Sequence, residues 1–159
     1  TRRVGWQPRA GVLVDADGGV VGSHAGTAGY TIGQRSGLGV ALGERQYVAA
    51  IDVPANLIKL GRRDDLQRET LSVGDVSFVD RAPDGPFRAR VRIRHRAPLV
   101  PALVSPPDGA AVSAANQAAG GRWRVELEEP AWAPAPGQAA VFYGEGDAVI
   151  GGGRIASAA

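Results

Sequence analysis

The sequence predicts a mainly β fold, in which a small β domain precedes a six-stranded β-barrel. Short apolar or alternating segments recur along the chain and are bounded by glycine, proline, aspartate and asparagine, a pattern typical of all-β proteins. Helix signals are few, and the best of them, Arg62–Arg68, allows a turn or two at most. We therefore expect strands to build both domains, with the join near residue 64.

Two hairpins are expected in the first domain, residues 1–64. Each has two short apolar segments around a turn. The first turn, Asp15–Gly19, contains glycine, which can adopt positive φ, and the second contains Pro54, whose ring presets φ. The four predicted strands are Val12–Val14, Val20–Gly22, Tyr47–Asp52 and Leu57–Leu60.

Six further segments predict the barrel in residues 65–159. Closure of a barrel hides the sheet edges that otherwise attract other strands. The predicted strands are Leu71–Phe78, Phe87–His95, Leu99–Val104, Trp123–Leu127, Gln138–Tyr143 and Val149–Ile155. Between Ser105 and Gly121 the chain is rich in proline, alanine, glycine and serine without periodicity, so we expect a mobile loop or an insertion there.

Composition limits the chemistry of the chain. Its 159 residues include 18 basic and 16 acidic side chains, for a formal charge of +2, and 17 of the basic residues are arginine. Arginine pairs bidentately with phosphate and stacks on bases, although GC-rich codons produce the same excess. The absence of cysteine excludes disulfides, thiolate metal sites and cysteine nucleophiles from this sequence. Because it lacks methionine and starts at Thr1, we expect it to be an excised piece of a longer protein.

No group of side chains in the sequence predicts a catalytic or metal site. The only histidines are His24 and His95, and no histidine–carboxylate cluster has metal-ligand spacing. Asp15 and Asp17 form a carboxylate pair, but they lie in a turn where aspartate is favoured for backbone hydrogen bonds alone. We expect His95 to be a hydrogen-bonded core residue on the apolar face of its strand. Since no apolar run exceeds five residues, we expect no membrane segment and a cytoplasmic location.

Arginine alternates with other residues from Arg88 to Arg96. On a strand, this period of two places Arg88, Arg90, Arg92, Arg94 and Arg96 on one face. Such a stripe could follow an RNA backbone. It could equally be a solvated face, or a set of cross-strand pairs with Glu126, Glu128 and Glu129.

The segment Tyr30–Gly39 combines polar side chains with three glycines. Glycine permits positive φ and close backbone approach, so this composition suits a surface that meets a polar macromolecule, although ordinary tight loops share it. Exposed aromatic side chains could stack on bases, and the candidates are Tyr30, Trp6 and Trp132. Phe142 and Tyr143 are adjacent, so only one of them is expected to face solvent.

Tyr30–Gly39 closely resembles the Y-T-I-G-Q-R-x-G-L-G segment of bacterial tRNA-specific 2-thiouridylases. Further segments resemble that family in its order and roughly its spacing, so that the resemblance covers nearly the whole chain. They are Gly11–Gly18 with Gly22 and His24–Gly26, Tyr47–Asp52 with Asn56, Arg92–Arg96, Pro136–Gln138 with Val141–Tyr143, and Gly151–Ile155. The sequence departs from the family at three positions. Ser36 and Trp132 stand where the family usually has a basic residue, and His95 stands where it usually has tyrosine.

The resemblance implies the central and C-terminal domains of such an enzyme, with a barrel similar to the second domain of elongation factor Tu. It implies that the tRNA anticodon stem-loop is bound here, while an N-terminal ATP-pyrophosphatase domain uses ATP and Mg²⁺ and takes sulfur from a donor protein. No catalytic residue and no cofactor are expected in this chain itself. The expected RNA-binding residues are Thr31, Gln34, Arg35, His24, Tyr30, Arg92, Arg94 and Arg96.

Two other functions are compatible with the same patterns. One is a free-standing β-barrel module that binds RNA without an enzymatic partner domain. The other is a docking domain for a sulfur-relay protein, in which the arginine stripe faces an acidic protein surface.

Overall fold

The computed structural model describes residues 9–107 and 121–159. Trp6 and most of the 105–121 stretch lie outside these ranges. The chain divides into two compact units, Thr1–Leu66 and Gln67–Ala159. Among the described residues both units are built from strands, with three single turns of 3₁₀ helix. The prediction of a mainly β fold is confirmed.

The first unit contains a four-stranded sheet of mixed direction. Its strands are β1 (Gly11–Val14), β2 (Val20–His24), β3 (Tyr47–Asp52) and β4 (Leu57–Gly61), in the spatial order β2-β1-β4-β3. The pairs β1–β2 and β3–β4 are antiparallel, whereas β1 and β4 run parallel. Both predicted hairpins are therefore confirmed.

One face of this sheet carries the core of the first unit. Leu13 on β1 is the register partner of Ile58 on β4, and both side chains are fully buried. Val48 and Leu60 join the same apolar cluster. Leu38 completes it from the loop between β2 and β3 and is only 7% exposed. That loop is thus attached to the sheet by an apolar side chain.

The second unit is a closed barrel of six antiparallel strands. Its spatial order is β10-β5-β8-β7-β6-β9. The strands are β5 (Gln67–Phe78), β6 (Phe87–Arg92), β7 (Val100–Ser105), β8 (Trp123–Trp132), β9 (Ala139–Tyr143) and β10 (Val149–Ala158). The predicted six-stranded barrel is confirmed.

Alternating side chains fill the barrel interior. On β6, Ala89 and Val91 are buried, while the arginines that alternate with them are not. Phe142 is fully buried, and Trp123 packs against Phe78 with ring centroids 5.1 Å apart in an edge-to-face arrangement. Aromatic packing of this kind fixes the strands relative to one another.

Strand ends differ from the predictions where neighbouring strands impose a constraint. β6 ends at Arg92, not at His95, because it forms a hairpin with β7 and the chain must reverse before Val100. β8 continues past Leu127 to Trp132 and includes Pro130. The register between β5 and β8 shifts in this region, so a residue without an N–H donor is tolerated. The predicted helical segment contains one 3₁₀ turn, Asp64–Leu66.

Candidate nucleic-acid interface

A tight turn opens the glycine-rich segment that follows the first hairpin. The Gln34 N–H donates to the Thr31 carbonyl at 3.0 Å, and Gly33 between them has φ of 88°. A glycine with positive φ at the third position is the mark of a type II turn. The Gly33 N–H donates to the Val48 carbonyl, and the Val48 N–H donates back to Gln34. The turn is therefore attached to β3 by two backbone hydrogen bonds.

The side chain of Gln34 holds this turn in shape. Its Oε1 accepts the Thr31 N–H at 3.1 Å, and its Nε2 donates to the Ser36 carbonyl at 2.9 Å. The amide is half-buried, while the neighbouring Thr31 and Arg35 are exposed. Gln34 thus organises the loop that presents Thr31 and Arg35 to solvent.

His24 is buried beneath the same segment. Its ring is 5% exposed, with Nε2 3.2 Å from the Asn56 carbonyl and Nδ1 accepting the Gly26 N–H at 3.0 Å. Tyr30 packs edge-on against it, with ring centroids 5.6 Å apart. Both ring nitrogens of His24 are therefore engaged within the protein, which gives the histidine a role in holding the loop.

The loop continues to the start of β3 and lines a pocket of about 440 Å³. Two arginines, Arg35 and Arg45, line this pocket and are exposed. Neither guanidinium has an ion-pair or hydrogen-bond partner among the described residues. Glu44 is the single acidic residue in the lining, and its Oε2 lies 2.9 Å from Arg62 Nε. Sequence reasoning identified Arg35 but missed Arg45, which stands outside the recognisable motif.

The arginine stripe is shorter than predicted. Arg88, Arg90 and Arg92 lie on β6, whereas Arg94 and Arg96 belong to the connection between β6 and β7. The expectation of five arginines on one strand face is wrong for these last two, because the chain turns there, with the Ala97 N–H bonded to the Arg94 carbonyl.

His95 lies in the same turn and is exposed. The expectation that it is a core residue is therefore wrong, for the same reason. Arg96 beside it is also exposed and has no partner among the described residues.

The first two arginines of the stripe are paired within the barrel. Arg88 Nη1 donates to Glu128 Oε1 at 2.6 Å. Arg90 Nη2 donates to the Gly144 carbonyl at 3.1 Å and lies 2.6 Å from Asp147 Oδ1. The Arg88–Glu128 pair matches the alternative of cross-strand pairs, whereas the partners of Arg90 lie outside the glutamates that it named.

The next two arginines lie over aromatic rings. Arg92 Cζ is 5.4 Å from the centroid of the Tyr143 ring, and Arg94 Cζ is 5.4 Å from that of Trp132. Arg94 Nη2 also donates to the Ala133 carbonyl at 2.6 Å. Arg92 Nε is buried without a hydrogen-bond partner. Two guanidinium planes are thus held beside rings, the arrangement on which nucleic-acid bases stack.

Neither a metal site nor a membrane span is present in the part of the chain that the structure describes. It contains no group of three or more histidine and carboxylate side chains able to hold a metal ion. No helix within residues 9–107 and 121–159 is long and apolar enough to cross a membrane. Asp15 Oδ1 accepts the N–H groups of Asp17 and Gly19, so the Asp15–Asp17 carboxylate pair serves to hydrogen-bond the backbone of its turn.

Comparison with known families assigns both units. Residues 4–62 match a family model described as the tRNA methyl transferase PRC-barrel domain, and residues 68–155 match one described as the aminomethyltransferase beta-barrel domain. These two models are the middle and C-terminal domains of one family. The chain belongs to the tRNA-specific 2-thiouridylase family.

Its relatives include proteins named tRNA-specific 2-thiouridylase MnmA from several bacteria. That of Chloroflexus aggregans is 45% identical over 92% of the chain, and that of Roseiflexus sp. 43% over 93%. That of Synechococcus sp. is 41% identical over 96%. The chain spans 37–39% of the length of these relatives.

Proposed function

We propose that this chain is the tRNA-binding portion of a tRNA 2-thiouridylase that thiolates the wobble uridine. The observation that carries the proposal is identity of 41–45% to proteins of that name, spread over 92–96% of the chain. A match of that breadth includes both the glycine-rich loop and the barrel. Fold alone would not support it, since small barrels serve many functions.

The family descriptions mention methyl transfer, whereas the relatives are named for thiolation. We follow the relatives because each match is one continuous similarity across both units. In addition, the sequence has no loop of the kind that binds a methyl-donor nucleotide.

Each unit contributes groups of its own to the proposed RNA contacts. In the first unit we assign direct contact to Thr31 and Arg35, which the turn presents to solvent. In the second we assign it to Arg94 and Arg96, in the connection between β6 and β7. Accessible guanidinium groups bind phosphate and stack on bases, and both uses suit an anticodon stem-loop.

The other predicted RNA contacts act chiefly by holding these groups in place. The polar side-chain atoms of Gln34 and His24 form hydrogen bonds within the protein, and Tyr30 packs on His24. Arg92 differs from these residues, because its guanidinium lies over the Tyr143 ring, and we assign to it stacking on a base.

We propose that the sulfur chemistry takes place outside these 159 residues. The chain has no cysteine, and its described residues offer no group able to hold Mg²⁺. Mg²⁺ therefore does not fit the described residues, and the sequence has no phosphate-cradling loop for ATP. We assign them, and the contact with a sulfur donor, to an ATP-pyrophosphatase domain, since the relatives are more than twice as long as the chain.

The test is a thiolation assay with two proteins. Full-length protein and the 159-residue chain are each incubated with tRNA, ATP, Mg²⁺ and a sulfur donor, and digested nucleosides are analysed for 2-thiouridine by mass spectrometry. We expect 2-thiouridine at the wobble position from the full-length protein and none from the chain alone. Turnover by the chain alone would contradict the proposal that the sulfur chemistry takes place outside these 159 residues. Absence of turnover by both proteins would favour a free-standing RNA-binding module.

A further inference from the structure

Residues 35–46, the second half of the loop between β2 and β3, have backbone donors that find no partner among the described residues. Among the described residues, no N–H group from 35 to 46 donates to a backbone or side-chain acceptor. The loop is held instead by apolar side chains, with Leu38 buried in the core and Val40 packed on it. Because backbone N–H groups require partners, this segment offers a row of donors to water or to an acceptor-rich ligand.

The side chains that border this loop have the charge that such a ligand requires. The pocket of about 440 Å³ is lined by both Arg35 and Arg45, whose guanidinium groups have no protein acceptor among the described residues. A guanidinium presents donors in a planar fork that matches the oxygens of a phosphate. Two such forks therefore line one pocket, beside a loop segment whose backbone donors have no partner among the described residues.

The one acidic residue in the lining is neutralised from outside. Glu44 would repel an anion, but its carboxylate is bound by Arg62, which does not line the pocket. The pair is exposed, so its own contribution to stability is small. Its effect on the pocket is to leave a net positive lining.

We propose that this pocket binds a phosphate group of the tRNA backbone between Arg35 and Arg45. The inference rests on the proposed function and adds to it a second arginine and a defined phosphate site. An acidic protein partner fits less well, since the two large apolar side chains of the lining, Leu38 and Val40, pack onto the core and leave no apolar anchor for a protein interface.

The experiment is a salt titration of tRNA binding by the full-length protein. The double variant Arg35→Gln/Arg45→Gln removes both charges and keeps polarity. Arg9→Gln is the matched control, because Arg9 is exposed, lies in the same unit and is outside the pocket. Each neutralised phosphate contributes about 0.7 to the log–log salt slope for single-stranded RNA, so the double variant, which loses one phosphate contact, should flatten the slope by about 0.7.

The outcomes separate this inference from the proposed function. A flatter slope with weaker binding in the double variant, beside a wild-type slope in Arg9→Gln, supports the phosphate site. Retention of the slope in Arg35→Lys/Arg45→Lys would add support, since charge is preserved. If tRNA binds the wild type but the double variant keeps the full slope, the phosphate site is refuted and the proposed function stands. If the wild type does not bind tRNA, both are refuted.

Discussion

Replacement of Gly33 by alanine should destabilise the first unit, and the expected size follows from the backbone. Gly33 has φ of 88° in the turn that joins Thr31 to Gln34. An L residue in this left-handed region costs about 1–2 kcal/mol relative to the right-handed one. For a domain of 60–100 residues each kcal/mol lowers the melting temperature by about 4–8 °C. We therefore expect Gly33→Ala to lower the melting temperature of the first unit by about 4–16 °C.

Calorimetry of the 159-residue chain measures this loss, and amide hydrogen exchange locates it. The Val48 N–H donates to the Gln34 carbonyl, so its exchange should accelerate when the turn is strained. Gly29→Ala is the control four residues away, because Gly29 has no positive φ and an added Cβ would meet no atom within 4 Å. If Gly33→Ala melts and exchanges like Gly29→Ala, the turn does not depend on glycine and the argument fails.

Two further predictions concern the barrel and the pocket. A Cβ on Gly153 would overlap the carbonyl oxygen of Gly74, so Gly153→Ala should destabilise the barrel by about 1–3 kcal/mol in melts followed by tryptophan fluorescence. Gly74→Ala is the control, because a Cβ at Gly74 would meet no atom within 4 Å. Equal melting of the two variants would refute the close approach of β5 and β10. Arg62→Gln should free the Glu44 carboxylate and weaken tRNA binding by the full-length protein up to about fivefold, as filter binding would show. Addition of Glu44→Gln should restore the affinity, and failure to restore it would mean that Arg62 contacts RNA itself.

The strands were well predicted because apolar segments, alternation and turn residues are patterns of neighbouring residues. Tyr47–Asp52 was predicted with both ends correct, since a compact apolar segment is bounded by charge and by a turn. The buried Phe142 beside a half-buried Tyr143 follows from alternation alone.

Tertiary constraints account for the errors. The alternation of Arg88–Arg96 continues past the point at which β6 must turn to pair with β7, and nothing local marks that point. The prediction therefore extended the strand and buried His95.

The candidate site was only partly predictable. Arg35 was found because it lies in a recognisable segment, while Arg45 becomes relevant only when the loop folds beside it. Gln34 has a side chain suited to reading RNA, yet its amide is engaged by Thr31 and Ser36. Partners of this kind depend on backbone geometry that composition does not reveal.

The most direct test of the central claim is the binding of an isolated anticodon stem-loop. Full-length protein is titrated with a stem-loop that has uridine at the wobble position and, separately, with an acceptor-stem hairpin of equal length. The account predicts tighter binding of the anticodon stem-loop, weakened by salt and by Arg94→Gln/Arg96→Gln. Equal affinity for the two RNAs, or no binding of either, would contradict the claim that this chain holds the anticodon region of tRNA.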